Sequence, residues 1–278
     1  NSEPNTPVYL FQGFDPSDID TIILGTGEDA VTLKREDTNF VVMNKDGYPA
    51  ITNEINALIT SCLDIRTTEL YTENPANHKD LGVTEEEAKH IVKFLRPDSE
   101  LLTGVIVGKD NGKGRRNFVR LIPGDRVYVA LERPLIKDQA MNYVEKEIIS
   151  VSREDVESVT VQSPAESYTL HAKKEGQGIV LENQPAGKKL KEGEGENVFM
   201  ALTYLQFEDV RKISPQDGEL SFEREFICRK KDSTIYTLKI TRKDAKTYLV
   251  CDGEFTDNTP VTKENSIESE EELKKKES

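Results

Sequence analysis

Asp18-Ile19-Asp20-Thr21-Ile22-Ile23-Leu24 mixes polar and apolar residues and is followed, after a glycine-bearing turn, by Ala30-Val31-Thr32-Leu33. Short runs of this kind joined by tight polar turns predict strands. The pattern returns as Asp155-Val156-Glu157-Ser158-Val159-Thr160-Val161 and Ser167-Tyr168-Thr169-Leu170, at a constant offset of 137 (155 − 18). Ile19, Ile22, Leu24 and Leu33 fall on Val156, Val159, Val161 and Leu170. Self-similarity at one fixed offset predicts an internal repeat.

A third strand, Asn39-Phe40-Val41-Val42-Met43, completes an antiparallel meander, and then the period changes. Ile51, Ile55, Leu58, Ile59, Cys62 and Leu63 fall on one stripe of an amphipathic helix. The segment 84–95 supports two readings. Thr84-Glu85-Glu86-Glu87 has the spacing of a capping box, while Ile91-Val92-Lys93-Phe94-Leu95, the turn Arg96-Pro97-Asp98-Ser99 and the apolar run 101–107 read as a hairpin. Strands from about Lys89 are the preferred reading. With 117–121 and 126–130 they make a second meander.

Residues 136–149 place Ala140, Val144 and Ile148 on one side of an expected connecting helix. In the second copy, Gly178-Ile179-Val180-Leu181 supplies the third strand, and Val198, Ala201, Leu202 and Leu205 the helix. The runs 222–228, 234–240 and 246–251 repeat the second meander, with Tyr236 and Tyr248 as candidate cross-strand aromatics. The expected architecture is α+β: two homologous repeats, each of antiparallel meanders packed against a helix. Its parts are a lead-in (1–14), a first repeat (15–131), a connecting helix (132–150), a second repeat (151–253) and a charged, disordered tail (254–278).

At 278 residues the chain is long enough for two domains with their own cores. A net charge of −14 opposes a polyanion, so nucleic acid is not an expected partner. No run approaches the roughly 18 apolar residues of a membrane helix. The chain opens on Asn1-Ser2-Glu3-Pro4-Asn5 without an initiator Met, which leaves room for a signal or anchor upstream. Three cysteines are no disulfide framework. Cys62 lies on the apolar helix face; Cys228 and Cys251 lie on strands that could be neighbours, and whether they pair stays open.

Few residues suggest chemistry. Gly108-Lys109-Asp110-Asn111-Gly112-Lys113-Gly114-Arg115-Arg116 resembles a phosphate-cradling loop, yet it leads into a strand and lacks the Lys-Ser/Thr pair opening a helix. The plain reading is a glycine-rich hairpin turn, with Lys113, Arg115 and Arg116 as candidate contacts for an anion or a partner. Gly25-Thr26-Gly27 and Gly193-Glu194-Gly195 read as turns. His78, His90 and His171 have no helical metal-site spacing, and no serine elbow or based cysteine is visible. No catalytic, cofactor or metal residue is assigned.

The segments LFQGFDPSDIDTIIL, AVTLKREDTNFVV, DGYPAITNEINALITSCLDI, ENPANHKDLGV, GVIVGKDNGKGRRNFVRL and DRVYVA resemble the bacterial family known as domain of unknown function 4340. The likeness runs from about Phe11 to Ala130 and resumes from Tyr143 to Leu181. That family often carries a tryptophan in the third strand, where Phe40 stands here. The resemblance implies an extracytoplasmic protein of the bacterial envelope, tethered by a membrane segment that would lie upstream of Asn1, with relatives linked to ATP-binding-cassette and gliding-motility-like systems. It carries over no catalytic residue. The expected function is therefore a non-catalytic accessory module assembling with a transporter-like membrane protein. The alternative is a small-molecule or glycan binding module using a cleft between the repeats, although 7% aromatic content without Trp disfavours a sugar platform. An enzyme is the third reading, and turnover in hydrolase screens would reveal it.

Overall fold

The computed structural model describes residues 7–112, 116–173, 178–187, 189–191, 193–214 and 220–256. They divide into two units, one within 1–146 and 208–212, the other within 147–207 and 213–278.

In the first unit the strands are β1 (Val8–Tyr9), β2 (Thr21–Leu24), β3 (Val31–Glu36), β4 (Asn39–Val42), β5 (Tyr48–Pro49), β6 (Arg66–Thr72), β7 (His90–Leu95), β8 (Leu101–Asp110), β9 (Asn117–Ile122) and β10 (Val127–Ala130). They form one antiparallel sheet in the order β1-β6-β10-β9-β8-β7-β2-β3-β4-β5. Helix α1 (Thr52–Leu63) follows β5, and the short α2 (His78–Leu81) follows β6. The expected strands pair: Ile22 sits opposite Leu33 on one side and Phe94 on the other, and all three are fully buried. The stripe of α1 (Ile55, Leu58, Ile59 and Cys62) is buried as well. Phe11, Phe14 and Phe94 join this core with ring centroids 5.3–6.2 Å apart.

The hairpin reading of 84–95 is the observed one. Glu87 N–H donates to Thr84 Oγ1 at 3.3 Å, but this closes a turn, and β7 pairs with β8 from His90. Leu81, Val83 and Ala88 cover one face of β7–β10, against Ile91, Ile106, Phe118 and Val127. Val92, Phe94, Val105 and Val107, buried too, point the other way. Strands covered on both faces read as continuous apolar runs, which is why 101–107 shows no alternation.

The connecting helix is not observed. Between 132 and 150 lie a single 3-10 turn (Ala140–Asn142) and strand β11 (Glu147–Ile149). The backbone finds its partners elsewhere: Ile51 N–H donates to Tyr143 O at 2.8 Å, and Ala50 bridges Val144. Tertiary pairing has overridden helix propensity here.

The second unit continues with β12 (Val156–Gln162), β13 (Ser167–Ala172), β14 (Ile179–Leu181), α3 (Glu194–Phe199), β15 (Leu205–Gln206), β16 (Arg224–Lys230), β17 (Thr234–Lys243) and β18 (Lys246–Phe255). β11 pairs with β15, and the six-stranded sheet runs β14-β13-β12-β16-β17-β18. Within the first sheet, β4-β3-β2-β7-β8-β9 has the corresponding sequence of connections. The row Leu170–Val159–Cys228 here matches Leu33–Ile22–Phe94 there, and both are buried.

The second helix is shorter and earlier than expected. Leu205 belongs to β15, while Phe199 and Leu202 fill the core. Arg153 grips Glu196 through Nε and Nη2 at 2.7 and 2.9 Å and lies over the Phe199 ring. That bidentate bond holds the Glu196 carboxyl below its ordinary value. Tyr236 faces Gly253 and Tyr248 faces Thr241, so the two tyrosines are not a cross-strand pair. Glu254 and Phe255 are part of β18, and the expected disordered tail from 257 onward lies outside the described residues.

Candidate functional site

Of the basic residues singled out in the glycine-rich loop, Lys113 and Arg115 lie outside the described residues. Arg116 is exposed, and its carbonyl accepts from Asn111 N–H at 2.9 Å across the end of the β8–β9 hairpin. Gly25 and Gly27 have φ of 83° and 70°, as turn glycines do. They border an open hollow whose cation, Lys93, is paired with Glu85 at 2.7 Å.

The histidines sit apart, each with its own contact. His78 Nε2 is 2.9 Å from Asp125 O, His90 Nδ1 is 3.3 Å from Asp138, and His171 Nε2 is 3.3 Å from Glu182. Among the described residues no three His, Cys, Asp or Glu side chains gather as a metal site.

Cys228 and Cys251 are on β16 and β18, which flank β17, opposite Tyr236 and Leu238 respectively. Two strand spacings, about 9.6 Å, separate such positions. A disulfide reaches about 7 Å between Cα atoms, so the pair cannot form without backbone movement. All three cysteines are free thiols. Burial pushes Cys62 up to about 12 and Cys228 up to about 11, and raises Cys251 as well. Since the thiolate is the reactive form, iodoacetamide at pH 8 should label the half-exposed Cys251 first. Cys62 and Cys228 should react at the rate of unfolding. Peptide mass spectrometry of a time course checks the order.

The feature that pattern reading missed is the outer edge of β18. Asp244 and Ala245, with φ of 50° and 62°, form a two-residue turn between β17 and β18. Ten residue pairs then follow, from Lys243–Lys246 to Thr234–Phe255, without a register shift. In such a hairpin the pair flanking the turn is hydrogen-bonded, and bonded and non-bonded pairs alternate. Lys246, Tyr248, Val250, Asp252 and Glu254 therefore turn their N–H and C=O towards β17. Thr256 N–H, which donates to Ser233 O at 3.0 Å, continues the series. Thr247, Leu249, Cys251, Gly253 and Phe255 present theirs outward, where no described strand pairs.

Among the described residues the other sheet edges are β1, β5 and β15 at two residues and β11 and β14 at three, against ten for β18. Native sheets blunt their edges with short strands, prolines, bulges or charges. β5 ends on Pro49, whereas Thr247-Tyr248-Leu249-Val250-Cys251 carries no proline, bulge or charge.

The described chain is α+β, built mostly of antiparallel sheet with few helices. It belongs to the family described as Domain of unknown function (DUF4340), which matches residues 41–221, from β4 into the second unit. No curated protein matches it.

Proposed function

We propose that this protein is a non-catalytic assembly module of the bacterial cell envelope, and that β18 recruits an extended segment of a transporter-like membrane protein as a seventh strand of the second sheet. The carrying observation is the ten-residue β18 edge with its uncharged centre, where every other edge strand among the described residues has two or three residues. Strand addition draws affinity from main-chain hydrogen bonds and specificity from alternate side chains. The extracytoplasmic placement and the membrane tether both rest on the family resemblance.

The two units read as a duplicated ancestor. In support, Ile22–Leu33 and Val159–Leu170 keep the same 137-residue offset (159 − 22 and 170 − 33) in their pairing. The 3-10 turns Pro16–Asp18 and Arg153–Asp155 keep it too. Other family members should carry the same self-similarity; its absence from them would leave convergence as the explanation.

Capture from mildly cross-linked native cells tests the assembly reading. Recovery of a membrane protein with the wild type, reduced about tenfold by Thr247→Pro, supports it. Thr247 is exposed and its N–H points outward, so proline there spares the β17 ladder and should leave the melting temperature nearly unchanged. Recovery of the chain's own second copy alone, or equal recovery with the variant, would sink it.

A further inference from the structure

We infer that the first unit contains a binding site for a small organic oxyanion, a carboxylate or a phosphate ester, seated on the guanidinium of Arg35. A cavity of about 230 Å3 lies beside α1, between its first turns and the β3–β4 hairpin. Phe40, Ile55 and Ile59 give it an apolar floor, and each is buried. Ser17 and Asn56 add a hydroxyl and an amide to its lining. Among the described residues no carboxylate lines this cavity, and Arg35 is the one charged group that does.

Arg35 is held in place before any ligand arrives. Its Nε donates to Ile19 O at 2.8 Å, and its Cζ lies 4.6 Å from the centroid of the Phe40 ring. Those two contacts fix the plane of the guanidinium and engage one of its five N–H groups. Among the described residues, no hydrogen bond or ion pair engages the Nη groups.

A guanidinium fixed in plane presents a fork that matches a carboxylate or phosphate bidentately, with little entropy left to lose on binding. The ring beneath it supports the cation through its face. The cavity is smaller than the roughly 300–1,000 Å3 of sites for drug-sized molecules, so the ligand is of amino-acid or sugar-phosphate size. Its anionic end would meet Arg35, and its carbon skeleton the Phe40, Ile55 and Ile59 floor.

Titration of the intact chain with sodium benzoate and with glycerol 3-phosphate, at constant ionic strength, tests the site and separates the two sources of oxyanion. Backbone amide shifts by NMR provide the readout. At least one probe should give saturable shifts at residues 35–40 and 52–59, with a dissociation constant below about 1 mM. Arg35→Lys keeps the charge but loses the fork, and should weaken binding about tenfold.

Asn56→Trp, at the exposed rim of the cavity, should block binding while leaving Arg35 and its two anchors in place. No saturable shift with either probe, or binding unchanged in both variants, overturns the site. Because β18 belongs to the other unit, that failure would leave the docking proposal standing, and the converse also holds.

Discussion

Gly108→Val is expected to lower the stability of the first unit by about 3 kcal/mol, and Gly108→Ala by about 2 kcal/mol. A Cβ at this position in β8 would lie 2.5 Å from Leu81 O, 2.9 Å from Gly82 O and 2.7 Å from a methyl of Val83. Two of those three atoms are backbone, so no rotamer change can make room. The segment they belong to is the cover over one face of β7–β10, and Val83 within it is completely buried. Pushing the cover away would expose Ile91, Ile106 and Val127 to water.

Urea denaturation and hydrogen exchange across β7–β10 are the measurements. A valine variant with wild-type midpoint and wild-type protection would refute the close approach. Gly112→Ala is the comparison: its φ is +73° but nothing lies within 4 Å, so only the backbone cost of about 1 kcal/mol should appear.

The second large effect is expected at Tyr143, 1% exposed and among the largest fully buried side chains. Truncation to alanine should cost about 4 kcal/mol through lost burial and the cavity left behind. Tyr143→Phe should cost only about 1 kcal/mol, because it removes one hydrogen bond, from the hydroxyl to Lys137 O at 2.6 Å. A ratio near one between the two would show that the ring is not the anchor.

The hydroxyl also predicts a pH dependence. Burial first, then the neighbouring Cys62, Glu54 and Asp138, raise its pKa well above the usual tyrosine value of about 10. In the unfolded chain it ionises near pH 10 while the folded chain keeps its proton. Its contribution is therefore complete below that pH and is lost as pH rises beyond it. Tyr143→Phe should flatten part of the alkaline decline in melting temperature; an unchanged slope above pH 10 would assign that decline to other groups.

Tyr143 also shows where pattern reading stops. The spacing of Ala140, Val144 and Ile148 satisfies a helical template, yet these residues serve different neighbourhoods. Val144 bridges Ala50 in the first unit, while Ile148 packs on the core of the second. Periodicity records which face a residue presents if its own segment is regular. It is silent when a distant backbone, here Ile51 N–H, supplies the hydrogen bond that a helix would otherwise supply.

The proposed sites were less legible than the fold. Lys113, Arg115 and Arg116 attracted notice as a basic cluster beside glycines. Arg35, followed at once by Glu36 and Asp37, reads in sequence as one more charge on a solvated strand. Its interest comes from Ile19 O and the Phe40 ring, contacts that no spacing rule reports. The β18 edge was equally hidden. That stretch was recognisable as a strand, but being last in the sheet is a property of the sheet order.

By itself the sequence determined the local periods: β2, β3 and β4, the buried stripe of α1, the meanders, and the offset that β2–β3 and β12–β13 share in their register. Those follow from side-chain alternation and turn residues, which act between near neighbours in the chain. The tertiary structure alone decided that β2 pairs with β7 and β12 with β16, that 132–146 runs without an α-helix, and that Cys228 and Cys251 stand two strands apart. It also decided that β18 ends the second sheet and that Arg35 lies over the Phe40 ring. Such choices depend on which distant surfaces meet and exclude water together, a free energy shared by the whole core that no short window of sequence contains.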